Sequence, residues 1–271
     1  MSKALHGHKA RKRFGQNFLH DQNVISKIVA SINPKPDQNI VEIGPGLGAI
    51  TSEVLPLAQS MHVVELDRDL IPKLEFICDG KGTLTVHQSD ALKFDFSQLA
   101  DGDHSLRVIG NLPYNISTPL IFHLLENHKV VRDMHFMLQK EVVDRMAAHE
   151  KENNYGRLSV MTAYFCKVEP LFLVGPGSFN PPPKVESAIV RLTPYETLPF
   201  PAKDLKILQT VVTTAFGMRR KTLRNCLKKI ISAEEIESLG INPTARAETL
   251  SVETFVNIAN YIFERPAAEQ S

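Results

Sequence analysis

A chain of 271 residues with 43% apolar and 23% charged residues and a formal net charge of +1 has the composition of a soluble globular protein, long enough for one large or two modest domains. This composition excludes a disordered, fibrous or disulfide-stapled molecule, and the balanced charge argues against nonspecific polyanion binding by the whole surface. No apolar stretch reaches membrane-spanning length, so no membrane partner is expected, and Cys78, Cys166 and Cys226 lack the spacing of a metal site or a disulfide framework.

The first twenty residues contain Lys9, Arg11, Lys12 and Arg13 and no acid. Such a composition suits a presequence, yet the cluster runs straight into Arg13-Phe14-Gly15-Gln16-Asn17-Phe18-Leu19, a motif that cleavage would destroy, so the cytoplasm is the expected compartment. Apolar, β-rich runs then recur at Ile40–Ile43, His62–Glu65, Leu84–His87, Leu106–Ile109 and Met134–Leu138, with helical patterns between them. This alternation predicts βαβ units and a parallel sheet. Two further runs, Tyr164–Val168 and Ala188–Leu192, are joined by a Gly/Pro-rich loop and read as an antiparallel pair closing the sheet. The composition shifts after Leu192, which places a boundary between a first domain over residues 1–197 and a helical domain over 198–271. The fold class expected is α/β, a Rossmann-like, mostly parallel sheet with an antiparallel strand near one edge, followed by a small all-helical domain.

Within the second domain, Leu205–Phe216 has helical periodicity, and Leu223, Leu227, Ile230 and Ile231 share one face of a following helix. Arg220, Arg224 and Lys228 then form an i, i+4, i+8 row on another side. With Arg219, Lys221 and Lys229 they make a basic cluster free of acids, a solvated face or a phosphate-binding one.

At the first strand the chain reads Val41-Glu42-Ile43-Gly44-Pro45-Gly46-Leu47-Gly48-Ala49 and turns helical near Ile50. Glycines at a strand-to-helix turn let the backbone approach a ligand and aim N–H groups at it. The next strand ends in Glu65, at the spacing of an acid that binds the ribose hydroxyls of an adenosine. The third is followed by Ser89-Asp90-Ala91, where Asp90 can accept from an adenine amino group. Ligands of open α/β sheets sit at this carboxyl edge. A nicotinamide dinucleotide and S-adenosylmethionine both satisfy these residues, and helix capping is the plainer role for either acid.

The fourth strand decides between the two ligands. Val108-Ile109-Gly110-Asn111-Leu112-Pro113-Tyr114 ends a buried strand with an amide, a carbonyl left extended by the proline after it, and an aromatic face. Asn111 and the Leu112 carbonyl can accept from the amino group of a flat ring stacked on Tyr114. Hydride transfer has no use for such a clasp; methyl transfer to an amine does.

Taken together these segments resemble the S-adenosylmethionine-dependent ribosomal RNA adenine N6,N6-dimethyltransferases, and most of all the bacterial small-subunit branch. The resemblance runs from Arg13–Leu19 through Asn115-Ile116-Ser117-Thr118-Pro119, Leu138–Val142, Tyr155–Ser159 and Phe179-Asn180-Pro181-Pro182-Pro183-Lys184-Val185 to Phe216-Gly217-Met218-Arg219-Arg220-Lys221-Thr222. It implies that Asn17 and Leu19 cover S-adenosylmethionine with Gln16 nearby, and that Gly44 and Gly46 lie against its methionine part. Glu65 would hold the ribose, Asp90 with Ala91 the adenine, and Asn111 the meeting point of donor and target amine. Phe179 would stack on the target adenine opposite Tyr114, although by itself it reads as a loop anchor packed into the core. Arg219, Arg220, Lys221, Arg224, Lys12 and Arg13 would bind phosphates. The implied partner is small-subunit rRNA in the small ribosomal subunit or its precursor, with two adjacent adenosines each dimethylated by a monomeric enzyme that needs no metal. A large-subunit rRNA adenine methyltransferase and an assembly factor of the same fold are the competing readings.

Overall fold

The computed structural model describes residues 17–218 and 220–265. Lys12, Arg13, Gln16 and Arg219 lie outside the described residues. The chain forms two compact units: one runs to Val143 and resumes over Val168–Glu196, the other comprises Asp144–Lys167 and the chain from Thr197 onward.

The first unit is built on strands β1 (Phe18–Leu19), β2 (Asn39–Ile43), β3 (Ser60–Glu65), β4 (Thr83–Gln88), β5 (Leu106–Asn111), β6 (Val131–Gln139), β7 (Cys166–Val174), β8 (Phe179–Asn180) and β9 (Ser187–Pro194). Seven of them form a sheet in the order β4-β3-β2-β5-β6-β9-β7. Strands β2 to β6 run parallel to their neighbours, and β9 is antiparallel to β6, with Met134 opposite Leu192 and Gln139 opposite Ser187. Parallel strands covered on both faces need continuous apolar runs, and Ile40, Val41, Ile43, Val63, Val64, Val108 and Ile109 are all buried. Helices α1 (Gln22–Ile32), α2 (Thr51–Ala58), α3 (Ile71–Cys78) and α4 (Ser117–Glu126) belong to the crossovers and flanks of this sheet. The first is fixed at its start by Asp21, whose Oδ1 accepts from the Asn23 and Val24 N–H groups. Strands β1 and β8 pair separately, Leu19 opposite Phe179.

Two elements depart from expectation, the first of them around Tyr164. Tyr164 and Phe165 belong to a helix over Arg157–Phe165, which follows α5 (Lys140–Ala147) and is α6, and the strand begins only at Cys166 and continues to Val174. Seven of the nine α6 residues are buried, so the run has neither a helical stripe nor strand alternation, and an aromatic apolar segment of this length reads equally as either.

The second unit contains α6 together with α7 (Leu205–Phe216), α8 (Leu223–Cys226), α9 (Ala233–Ser238) and α10 (Val252–Glu264). Helix α7 has the bounds its periodicity predicts and is capped by Asp204 on the Ile207 N–H. The Tyr155 hydroxyl donates to the Leu250 carbonyl at 2.8 Å, and Phe216 packs between Tyr155 and Phe255. A single boundary near residue 197 leaves out this early segment, which the contacts group with the later helices. The long helix expected after Arg220 is also shorter. It stops at Cys226, because Ser232 and Glu235 form a reciprocal cap that starts α9 and the Leu227 carbonyl accepts turn bonds from Ile230 and Ile231. Leu223, Leu227 and Ile231 are nonetheless buried. Arg220, Arg224 and Lys228 therefore lie before, on and after a single turn of helix rather than along one row.

Candidate active site

A cavity of about 330 Å³ opens where β2, β3, β4 and β5 end, wholly within the first unit. Asn17, Leu19, Gly44, Gly46, Glu65, Asp90, Ala91, Asn111, Leu112, Pro113 and Tyr114 all line it. The strand-end logic of the sequence thus brings eleven proposed residues to one place. The turn after β2 needs left-handed backbone, with φ of +65° at Gly44 and +59° at Gly46. A side chain at Gly46 would lie 3.3 Å from the ring of Phe18, which packs with Leu47 and Leu70 over the turn.

Glu65 joins two of the cavity walls. Its Oε1 accepts from the Asp67 N–H at 2.7 Å and its Oε2 from the Gly46 N–H at 3.3 Å. Burial pushes its carboxyl above the ordinary range, and the same N–H groups pull it back. Asp90 does cap the turn that follows β4, accepting from the Leu92 N–H at 3.0 Å, and it lines the cavity as well. The capping role and the ligand-facing position coexist.

At the end of β5, Asn111 Nδ2 donates to the Asn17 carbonyl at 3.2 Å. That bond turns Oδ1 into the amide's available acceptor. The Leu112 N–H is held by Met137 at 3.2 Å, while the Leu112 carbonyl accepts no hydrogen bond among the described residues. The half-buried Tyr114 places its hydroxyl 2.7 Å from Ser187 Oγ, and burial raises its phenol above the usual range. Two acceptors and a ring face are therefore presented together.

Phe179 stands apart. It is 3% exposed and packs in the core with Leu19, Ile25 and Ile28, and it is not among the residues lining the cavity. Its backbone pairs opposite Leu19, which sets its ring beside the segment that carries Asn17. Arg220, Lys221 and Arg224 are exposed in the second unit and pair with no carboxylate among the described residues.

Sequence reasoning missed Glu42, which lines the cavity at 2% exposure. Its Oε2 accepts from Thr51 Oγ1 at 2.6 Å. Burial, opposed by that hydroxyl and reinforced by Glu65, pushes its carboxyl up to about 7. The signal was present: a carboxyl inside an otherwise apolar central strand must be neutral or paired. Ser187 was missed too, and nothing in its own neighbourhood of the sequence marks it.

The profile of a family described as "Ribosomal RNA adenine dimethylase" matches residues 7–264. The chain belongs to the ribosomal RNA adenine dimethylase family. It is 62% identical over 257 residues to a protein of Marinobacter nauticus named "Ribosomal RNA small subunit methyltransferase A", covering 95% of this chain and 93% of that one. A protein of Hahella chejuensis with the same name is 60% identical and covers 98% of this chain and 97% of its own. Among solved structures, a dimethyladenosine transferase from Plasmodium falciparum superposes with a TM-score of 0.76 at 28% identity, over 89% of this chain and 95% of that one. The fold is shared with the 23S rRNA methyltransferase ErmE, at a TM-score of 0.71 and 22% identity over 92% of this chain and 100% of that one. The methyl donor of an adenine dimethylase of this family is S-adenosylmethionine, and the cavity residues fit it. Glu65, Asp90, Gly44 and Gly46 line one cavity at the strand ends, two carboxyls and a turn with close backbone approach among largely apolar neighbours.

Proposed function

We propose that this protein transfers methyl groups from S-adenosylmethionine to the exocyclic N6 amines of two adjacent adenosines in a small-subunit rRNA hairpin, giving N6,N6-dimethyladenosine during small-subunit biogenesis. The observation that carries the reading is the joint presentation of Asn111 Oδ1, the Leu112 carbonyl and the Tyr114 ring at the rim of the cavity. When bound, S-adenosylmethionine supplies a methyl group already activated on a sulfonium.

The residues then have a positioning task. An adenine amine is a weak nucleophile because its lone pair is delocalised into the ring. Accepting both N–H bonds fixes the amine plane and aims the lone pair, and orientation of this kind contributes roughly 7–11 kcal/mol in the best intramolecular cases. As the nitrogen becomes positive, Asn111 Oδ1 and the Leu112 carbonyl bind it more tightly than they bind the neutral amine. The proton leaves to water, so no dedicated base is needed. Tyr114 stacks on the base drawn out of the RNA and offsets part of the unstacking cost, about 1–3 kcal/mol per base.

The surrounding phosphates are bound through Arg219, Arg220, Lys221 and Arg224 of the helical unit, together with Lys12 and Arg13. A local patch suffices because a few phosphate contacts dominate affinity. The site residues are Asn17, Leu19, Gln16, Gly44, Gly46, Glu65, Asp90 and Ala91 for the donor, and Asn111 to Tyr114 for the target, with Phe179 stacking on the target adenine opposite Tyr114. The enzyme works as a cytoplasmic monomer on the small subunit or its precursor. Incubation with S-adenosylmethionine and small subunits lacking adenine methylation, followed by mass spectrometry of the digested rRNA, tests this. Dimethyladenosine that disappears with Asn111→Ala supports it; methylation of naked large-subunit rRNA alone overturns it.

A further inference from the structure

A serine hydroxyl buried in a central strand needs a partner, since an unbonded one is costly there. Ser187 is 0% exposed at the start of β9, followed by the buried residues Ala188, Ile189 and Val190. Its Oγ meets the Tyr114 hydroxyl at 2.7 Å. The other end of the tyrosine is also fastened: the Ser117 hydroxyl donates to the Tyr114 carbonyl at 3.1 Å, and the Ile116 N–H closes the turn on Pro113 at 3.1 Å. The ring therefore reaches past the end of β6 and is tethered at both ends.

We propose that Ser187 is a positioning residue for methyl transfer, holding Tyr114 at the tilt that presents its face to the target base, and that this hold matters more for the second transfer than for the first. The proposal rests on the function put forward above. Its asymmetry follows from hydrogen-bond counting. An unmethylated amine donates two N–H bonds, to Asn111 Oδ1 and the Leu112 carbonyl. After one methylation a single N–H remains, so one tether is lost and stacking on Tyr114 carries a larger share of the orientation. A ring that rocks is tolerated in the first step and penalised in the second. Ser187 also begins the strand that follows the loop of Pro181 to Glu186, and the Glu186 carbonyl accepts from the Lys140 N–H at 2.9 Å. The anchor is thus fixed to the sheet on both sides.

The test uses the full chain with S-adenosylmethionine and unmethylated small subunits. Turnover and the ratio of monomethyl- to dimethyladenosine are measured for Ser187→Ala, Ser187→Thr, Tyr114→Phe and the double variant Tyr114→Phe/Ser187→Ala. The expected result is a turnover loss of roughly 3- to 10-fold in Ser187→Ala, the size set by one neutral hydrogen bond. KM for the donor stays unchanged and monomethyladenosine accumulates. Ser187→Thr, which keeps the hydroxyl, restores the dimethyl product, and Ser187→Ala adds nothing in the Tyr114→Phe background. A wild-type product ratio in Ser187→Ala, or an equal further loss in the Tyr114→Phe background, overturns the proposal. If Ser187→Ala does not fold, Tyr114→Phe alone must accumulate monomethyl product, and its failure to do so overturns the proposal as well. Should the wild type make no dimethyladenosine, the proposed function fails instead. The anchor itself is then judged by tyrosinate titration, which is unobscured because the chain has no tryptophan; burial raises the Tyr114 phenol and the Ser187 hydroxyl lowers it, so a further upward move of one phenol in Ser187→Ala sustains the contact, and an unchanged titration refutes it.

Discussion

Replacing Glu42 by glutamine should remove a pH dependence of stability that the wild type carries. The carboxyl is buried with Thr51 as its hydrogen-bond donor, Glu65 as a like-charged neighbour and the Cys78 thiol also close enough to feel it. In the unfolded chain it titrates near 4.5, and in the fold it is pushed up to about 7. Below the lower value it is neutral in both states. Between the two values only the unfolded state ionises, so folding loses stability as pH rises, and above the upper value the loss levels off. With 1.36 kcal/mol per unit, the fall is about 3 kcal/mol between roughly pH 4.5 and 7. For a unit of this size that is roughly 6–12 °C in Tm. The amide introduced by Glu42→Gln would keep the bond to Thr51 and carry no charge, so the variant's curve should be flatter by that amount. Glu65 is present in both proteins and its own upward shift bends both curves in the same direction; Cys78, pushed up to about 11, titrates above the window. The measurement is Tm against pH for wild type and Glu42→Gln in parallel. Curves that stay parallel from pH 4.5 to 8 would refute the assignment of a neutral buried carboxyl.

Asn111→Ala should lower turnover by roughly 10²–10³, the cost of removing one transition-state hydrogen-bonding group, while Tm falls by no more than a few degrees; comparable turnover in a methylation time course would remove Asn111 from the reaction. Gly110→Ala places a Cβ 2.6 Å from the Ile43 carbonyl, forcing β5 and β2 apart where each delivers residues to the cavity. Overpacking of this kind costs about 1–3 kcal/mol, so calorimetry should show a lower Tm and titration a weaker donor affinity, and wild-type values in both would contradict the packing. Lys221→Glu and Arg224→Glu should weaken rRNA binding and reduce its salt slope by about one per lost phosphate contact, with donor affinity unchanged; an unaltered slope in filter binding would assign these residues to a solvated face.

The parts of the site that were legible in the sequence share one property: they sit at the ends of parallel strands, where local composition and topology coincide. Gly44, Gly46, Glu65, Asp90 and Asn111 could be read in this way because a strand pattern stops and a polar or flexible residue follows, and an open sheet puts such points on one edge. Glu42 was lost because it lies one residue before that point, inside the apolar run, where a charged residue contradicts the pattern and draws no notice. Helix α8 was overextended for a related reason. The apolar spacing from Leu223 to Ile231 continues past Cys226, but Ser232 and Glu235 compete locally for the chain, and a cap is decided by a few hydrogen bonds that hydrophobic periodicity does not register.

Phe179 and Ser187 show a different limit, since their placements depend on partners about 160 and 73 residues away in sequence, Leu19 and Tyr114. The short segment Asn17-Phe18-Leu19 explains why Phe179 belongs in the core. Its Asn17 carbonyl orients the Asn111 amide, its Phe18 ring seals the Gly46 turn, and its Leu19 is held in place by pairing with Phe179. The pairing of Leu19 with Phe179 holds the segment whose Asn17 carbonyl accepts from the Asn111 amide, so β8 supports the orientation of that amide from a distance. Phe179 and Asn111 are therefore two ends of one arrangement, joined through Asn17-Phe18-Leu19, and the link between them cannot be read from the neighbourhood of either end in the sequence.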